Sequence, residues 1–255
     1  MSSAARWRER VAPPLVGIGA LLALIGLWQY FADIGAINRF VAPAPDDIAR
    51  ALPELFTEEN LPAAFAQSLG ETLAAGAIAA AIGIPAGWAL HRRRIVGFAF
   101  EGWVANLAAA PLVLLYPLFL VVFGRNAATI IAMAVVSALP PVILKTKEGL
   151  DGVRRALIDV GRGLRLSPRA LFLRILLPAA APVIGTGLRL GLILALISVV
   201  GIEYLIHFGG MGDLIAALGD RFEVARMFAA IGFVVLISVG FHALGEQVEK
   251  WLTRV

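Results

Sequence analysis

The sequence contains no cysteine, which excludes disulfide bonds, thiolate metal sites and cysteine nucleophiles. Histidine is also rare, and His91, His207 and His242 lie too far apart to show the spacing of a metal-binding motif. Charged residues make up only 16% of the 255 residues, whereas 60% are hydrophobic. The composition therefore indicates a membrane protein rather than a soluble enzyme or a nucleic-acid-binding domain.

A phosphate-binding loop of the form G-x-x-x-x-G-K-[ST] is absent as well, because none of the lysines, Lys145, Lys147 and Lys250, follows a glycine. The sequence thus predicts neither ATPase activity nor a cofactor bound by this chain. A membrane-embedded enzyme would need a nucleophile beside a base, or a pair of carboxylates, and the apolar runs contain neither. We therefore predict no catalytic residues.

Long apolar runs predict the transmembrane helices, because about 20 residues are needed to cross the hydrocarbon core. Six spans are the simplest count, and they predict an all-α membrane protein with a single transmembrane domain over residues 1–255. The predicted spans cover about residues 14–31, 72–90, 102–124, 126–144, 179–202 and 227–245. The fifth of these runs is the one that contains a charged residue, Arg189.

The positions of Lys and Arg predict the orientation, because cytoplasmic loops hold an excess of these residues. If the N-terminus is inside, most basic residues fall on the inner side, including Arg6, Arg8, Arg10, Arg92, Arg93, Arg94, Lys250, Arg254 and those of the loop 151–178. The outer side holds Arg39, Arg50, Arg125, Arg221 and Arg226. This arrangement predicts that both termini and the loop 151–178 are cytoplasmic.

The first outer loop is predicted to hold a short amphipathic helix at the membrane surface. Pro45 is followed by Asp46 and Asp47, which favour a helix N-terminus, and then by apolar residues at helical spacing. Pro53 falls inside this helix and is expected to shorten it.

The basic loop between the fourth and fifth spans, residues 151–178, is the most informative segment. It is predicted to form two short helices, with Ser167 capping the second and Pro168 in its first turn. Pro178 is predicted to end or kink that helix. The first helix carries an apolar face made of Leu150, Val153, Leu157, Val160 and Leu164. An exposed pair of helices suits docking into a partner's groove, and a solvated basic loop is the alternative.

This loop resembles the EAA loop of binding-protein-dependent ABC importer permeases, whose pattern is E-A-A, three residues, G, nine residues, I-x-L-P. Asp159 stands where the family has Glu, and Ile175, Leu177 and Pro178 match at the required distances. Val160 and Gly161 replace the two alanines, and Arg165 replaces the glycine. Because that glycine permits a left-handed residue, we predict that Gly161 or Gly163 takes over its role.

The resemblance extends over nearly the whole chain, through Pro43-Ala44-Pro45, the segment 83–87 and the segment 186–190. It is similar to the nitrate, sulfonate and taurine branch of these permeases. The resemblance implies a type I importer fold in a bacterial inner membrane, a second permease copy, two ATPase subunits that bind ATP and Mg²⁺, and an external solute-binding protein. The residues expected to form the ATPase-coupling loop are Asp159, Gly161, Gly163, Arg165, Ser167, Arg169, Phe172, Ile175, Leu177 and Pro178.

Polar residues and proline breaks within the spans predict the translocation path. Pro85, Pro111, Pro117, Pro140 and Pro141 are expected to interrupt three spans, which is tolerated where a water-lined cavity satisfies the freed carbonyls. The candidates for the path are Asn106, Pro111, Tyr116, Ser137, Arg189 and Glu203. Interhelical hydrogen bonding is the favoured alternative for Asn106, Tyr116 and Ser137, and snorkelling is an equal alternative for Arg189.

The resemblance implies a small anionic solute of the sulfonate, nitrate and taurine class, which Arg189 would attract. A neutral vitamin precursor or another small organic solute is an alternative. A carrier driven by an ion gradient is a second one, although it would require more ionisable residues near the middle of the membrane.

Overall fold

The computed structural model describes the backbone of residues 3–252 and the side chains of residues 15–240 and 247. Within these residues the chain is helical and contains no strand, so the predicted all-α class is confirmed. The helices are α1 Ser3–Asp33, α2 Pro45–Thr57, α3 Leu61–Arg92, α4 Arg94–Ala109, α5 Tyr116–Phe123, α6 Ala127–Asp151, α7 Arg155–Gly163, α8 Pro168–Leu171, α9 Leu177–Ile206, α10 Gly210–Asp220 and α11 Val224–Leu252. A 3₁₀ turn covers Leu112–Leu115, and a π-helical turn covers Phe172–Leu176. The side chains of Arg6, Arg8, Arg10, His242, Lys250 and Arg254 lie outside the described residues.

Four helical segments are long and apolar enough to cross a membrane, which makes the chain a multi-pass membrane protein. They are Leu15–Asp33, Leu61–Arg92, Ala127–Asp151 and Pro168–Ile206. A fifth span is present if the bent pair Arg94–Ala109 and Leu112–Phe123 counts as one. The last predicted span, residues 227–245, falls in α11. The apolar part of α11 within the described residues, Val224–Gly240, is shorter than the segments that are long enough to cross a membrane. The described residues thus supply four or five of the six predicted spans.

The third predicted span, residues 102–124, is not one straight helix. α4 ends at Ala109, and the two halves of the segment meet at an angle of 89°. Ala110, which precedes Pro111, is extended, with φ −72° and ψ 143°, because a residue before proline is disfavoured in the helical region. The predicted break is therefore confirmed here. It is wrong for Pro85, Pro140 and Pro141, since α3 and α6 continue through these residues.

The chain divides into two compact units, which are residues 1–60 with 217–232 and residues 61–216 with 233–255. In the larger unit, α3, α6 and α9 pack around a core that includes the fully buried Ile130, Met133, Val199 and Ile202. Small residues allow this close approach, as lipid-embedded helices require. A Cβ atom on Gly87 would lie 2.6 Å from the carbonyl oxygen of Ile143, and one on Gly191 would lie 3.2 Å from that of Ala138.

In the smaller unit, α2 is held against the first turn of α11 by ion pairs. Arg226 lies 2.8 Å from Glu54, 2.7 Å from Glu58 and 3.0 Å from Glu223. The predicted amphipathic helix is confirmed, because α2 buries Leu55 on one face and begins with the two acidic residues. Its expected shortening is wrong, since α2 continues through Pro53 to Thr57.

Candidate functional site

The loop 151–178 forms the two predicted helices, α7 and the helix that starts at Pro168. The hydroxyl oxygen of Ser167 accepts a hydrogen bond from the amide of Ala170 at 3.3 Å, and Pro168 occupies the first helical position. The second helix therefore begins as the sequence predicts.

Pro178 does not end this helix, contrary to one of the two predicted outcomes. The π-helical turn Phe172–Leu176 lies immediately before it, and the amide of Leu177 donates to the carbonyl of Phe172. A wider turn accommodates the residue that lacks an amide donor, so the helix continues through α9 to Ile206. The second helix of the loop and a membrane span are consequently one continuous helical segment, Pro168–Ile206, which we call the helical rod.

Arg165 itself adopts the left-handed conformation that the family assigns to glycine, with φ +52°. The amide of Leu166 donates to the carbonyl of Gly161 at 3.1 Å, and the amide of Arg165 donates to that of Arg162 at 2.9 Å. These two bonds form a Schellman motif that closes α7. The prediction that Gly161 or Gly163 supplies the left-handed residue is therefore wrong, because neither has a positive φ.

Gly161 instead allows the two helices of the loop to pack closely against each other. It is buried, and a Cβ atom there would lie 2.6 Å from Cδ1 of Ile175 and would also overlap Leu171. Gly163 faces open space and makes no comparable contact. Of the two glycines, Gly161 alone packs α7 against the start of the helical rod.

The loop is also fixed to the ends of the spans that it connects. Leu150, Val153, Ala180 and Ile184 form a small buried core, and Ile158, Phe172, Leu176 and Leu177 pack against it. The ring of Phe172 lies 5.2 Å from that of Trp88 at the end of α3. A displacement of α7 would therefore be transmitted to α3, α6 and α9 together.

The predicted apolar face of the first helix divides into two parts. Leu150 lies in α6 and Val153 in the turn before α7, so neither belongs to the first helix as predicted, and both are buried. Leu157 and Val160 on α7, and Leu164 directly after it, are 44%, 59% and 70% exposed. These three side chains lie on one side of α7, which we call the α7 stripe. A well-anchored helix with an exposed apolar stripe has the anatomy of a docking surface.

Charged side chains are also exposed on α7, on the side away from the α7 stripe. Asp159 and Arg162 are both largely exposed and form an ion pair at 3.6 Å. Arg162 and Arg169 also line an open groove of about 1060 Å³ that has Trp88 and Phe172 on its apolar side. The loop thus offers a partner protein both apolar contacts and basic groups.

Three of the candidates for the translocation path lie in the broken segment between α4 and α5. Asn106 is exposed near the end of α4, Pro111 lies at the break, and Tyr116 begins α5. Tyr116 is half-buried and packs against the core of α3, α6 and α9. The structure therefore places these three residues in one bent segment.

Ser137 and Arg189 lie on the central helices. The hydroxyl of Ser137 donates to the carbonyl of Met133 at 3.1 Å and lies 3.2 Å from the hydroxyl of Ser198. This is the interhelical bond that the sequence favours for Ser137. Arg189 is half-buried on α9.

Glu203 does not face an open path, because it is completely buried. Its two carboxylate oxygens lie 2.7 and 2.8 Å from the hydroxyl of Ser68, and the amide of Gly212 donates to one of them at 2.9 Å. The amide of Met211 donates to the same hydroxyl at 2.8 Å. Glu203 and Ser68 together cap the N-terminus of α10.

Sequence reasoning missed Ser68, Gly210 and Gly212 as members of this cluster. A Cβ atom on Gly210, whose φ is +76°, would overlap the carboxyl group of Glu203, and one on Gly212 would overlap the carbonyl oxygen of Val200. The glycine-rich turn before α10 was the available signal, since close backbone approach often requires glycine.

Comparison with known proteins agrees with this architecture. A family model described as binding-protein-dependent transport system inner membrane component matches residues 50–254. The chain is 29% identical over 231 residues to a probable ABC transporter permease protein of Haemophilus influenzae, covering 90% of this chain and 92% of that protein. It is 24% identical over 256 residues to the taurine transport system permease protein TauC of Escherichia coli K12, covering 96% and 93%.

Among solved structures, the inward-facing MetNI methionine ABC transporter has a chain that superposes with a TM-score of 0.64 at 20% sequence identity. The match covers 72% of this chain and 92% of the other, so the two share a fold. Because the family model also matches most of the sequence, this chain belongs to the inner membrane components of binding-protein-dependent transport systems, the ABC permease family that its EAA-like loop indicates.

Proposed function

We propose that this chain is the permease subunit of an ATP-driven importer that moves a small solute inward. The observation that carries the proposal is the α7 stripe, an exposed apolar surface on a helix that is fixed to the ends of three spans. In this proposal, the stripe and the basic side chains of the loop dock on a separate ATPase subunit, which binds ATP and Mg²⁺. The complex contains two permease copies, two ATPase subunits and an external solute-binding protein, in a bacterial inner membrane.

The helical rod from Pro168 to Ile206 suggests how force enters the membrane. In this proposal, closure of the ATPase subunits displaces α7. Because α7 packs against Ile175 at Gly161, the helical rod that contains Ile175 and α9 is displaced with it. Movement of packed helices as bodies is a common route to alternating access. The mechanism requires both termini and the loop on the cytoplasmic side, with six spans in a type I importer fold.

For the solute, we propose a small anion of the sulfonate, nitrate and taurine class. A relative at 24% identity is named as a taurine permease, and the sequence resembles that branch. Arg189 is the basic residue within α9, where an arginine at membrane depth often marks a solute path. Asn106 and Tyr116 are polar groups that the same path would use.

The docking proposal can be tested by cross-linking, because the chain has no cysteine of its own. Val160→Cys in the α7 stripe should cross-link to a cysteine placed on the ATPase subunit, whereas Arg50→Cys, an exposed position on α2 in the predicted outer loop, should not. The proposal is wrong if both variants cross-link equally or if neither does in an assembled, ATP-hydrolysing complex.

The solute proposal needs a separate experiment on the solute-binding protein. Calorimetric titration with taurine, other sulfonates, nitrate and bicarbonate should give saturable binding of at least one anion. Binding of neutral pyrimidine or flavin compounds without any anion would overturn it and favour the vitamin-precursor alternative. Uptake that persists without the ATPase subunit would instead indicate an ion-gradient-driven carrier.

A further inference from the structure

Two buried carboxyl groups lie together beside the N-terminus of α10. Glu203 on α9 is fully buried, and Glu71 on α3 is 6% exposed. Gln67 ties Glu71 to the turn that follows α9, because its side-chain amide donates both to Glu71 and to the carbonyl of Phe208, each at 3.2 Å. Glu71 lies one helical turn after Ser68, whose hydroxyl contacts Glu203, so α3 places both carboxyl groups beside the turn that leads into α10.

Within the described part of the chain, no basic side chain forms an ion pair with either group. The side chain of Arg125 lies at the end of α9 and donates to the backbone carbonyls of Ile206 and His207. The ring of His207 lies 3.6 Å from Asp213, which in turn accepts a hydrogen bond from the amide of Gly209. Arg125 and His207 thus have partners other than Glu71 and Glu203.

The two carboxyl groups differ in the donors they receive. Glu203 faces the hydroxyl of Ser68 and the amide of Gly212, at the positive end of a helix. Glu71 receives one bond, from the amide of Gln67 to Oε1 at 3.2 Å. Its other oxygen, Oε2, is buried and meets no donor. Donors stabilise an ionised carboxylate, so the surroundings favour a charge on Glu203 and not on Glu71.

Two adjacent carboxylates cannot both be ionised in a buried site without a counter-charge, because burial and mutual repulsion both oppose it. A protonated carboxyl group, in contrast, is a donor. We propose that Glu71 and Glu203 form a site that binds one proton, carried on Oε2 of Glu71 and donated to Glu203. The proton gives the orphaned oxygen a partner, and the single remaining charge on Glu203 caps α10.

Infrared spectroscopy of the purified permease in lipid nanodiscs tests this proposal. The parent protein should show, at neutral pH, the carbonyl stretch of a protonated carboxylic acid. Labelling with [¹³C]glutamate should shift this band, which assigns it to Glu without any substitution. Glu71→Gln should abolish it while leaving the melting temperature unchanged, because the amide of Gln can donate in place of the acid.

Glu101→Gln is the matched control, since Glu101 pairs with Lys147 at 3.1 Å and should leave the band intact. The proposal is overturned if the labelled parent shows no such band at neutral pH, or if the band survives in folded Glu71→Gln. A parent without the band whose melting temperature rises with added Na⁺ would also overturn it, because a metal cation would then supply the counter-charge.

Discussion

The side chain of Ile175 occupies the space that the missing side chain of Gly161 leaves open. This contact joins α7 to the helical rod, and the proposed transfer of force from the ATPase subunit depends on it. The first prediction concerns this contact. Gly161→Leu should force α7 away from the rod, because overpacking a close contact costs about 1–3 kcal/mol. We expect ATP-driven uptake in proteoliposomes to fall strongly while the spans remain folded.

Two further variants control this prediction. Gly161→Ala should keep most of the uptake, since the atoms it meets are the mobile ends of Leu171 and Ile175. Gly163→Leu should behave like the parent, because Gly163 faces open space. Equal losses in Gly161→Leu and Gly163→Leu would show that the contact has no special role.

The second prediction concerns the strained backbone of Arg165. A non-glycine residue in the left-handed region costs about 1–2 kcal/mol. Glycine removes this strain, but it lowers the free energy of unfolding by about 0.4–1 kcal/mol because it adds conformational entropy to the unfolded chain. Arg165→Gly should therefore stabilise the protein by about 0.5–1 kcal/mol, measured as a higher melting temperature in detergent. Arg165→Ala retains the strain and should not stabilise. A lower melting temperature for Arg165→Gly than for Arg165→Ala would contradict the assignment.

The third prediction tests the cap of α10. Glu203→Ala should leave the amide of Gly212 without its acceptor and the hydroxyl of Ser68 without its acid partner, at a cost of about 1–3 kcal/mol for a buried polar group. Hydrogen exchange followed by mass spectrometry should show faster exchange in the segment 207–216. Tyr204→Phe, next to it but 48% exposed, should exchange as the parent does. Unchanged exchange in Glu203→Ala would refute the cap.

These cases show which features could be predicted from the sequence. Ser167 and Pro168 act on their own helix, so local rules place that cap correctly. Arg165 was assigned wrongly because residue preferences favour glycine in a left-handed position, whereas the helix and the turn around it impose the conformation. The bond between Ser68 and Glu203 joins residues 135 positions apart, so no local pattern could indicate it.

The fourth prediction concerns Arg226 in the smaller unit. This side chain lies close to four carboxylates, so Arg226→Gln should leave them facing one another without it; they are Glu54, Glu58, Glu59 and Glu223. We expect the variant to melt at a lower temperature than the parent. The difference between the two melting temperatures should be smaller at high salt, because salt screens the repulsion among the carboxylates. Arg50→Gln is the control, since Arg50 is 77% exposed and has one pair, with Asp46. Equal melting temperatures for the two variants would contradict the role of Arg226.

The fifth prediction separates docking from folding at Asp159. Its ion pair with Arg162 is exposed at both ends, and such pairs contribute little to stability. Asp159→Ala should therefore melt as the parent does, yet it should lose ATP-driven uptake if the carboxylate contacts the ATPase subunit. Arg162→Gln breaks the same pair but keeps the carboxylate, and it should retain more uptake than Asp159→Ala. Because neither variant disturbs a buried contact, a difference between them reports on the partner surface, and normal uptake in Asp159→Ala would remove Asp159 from it.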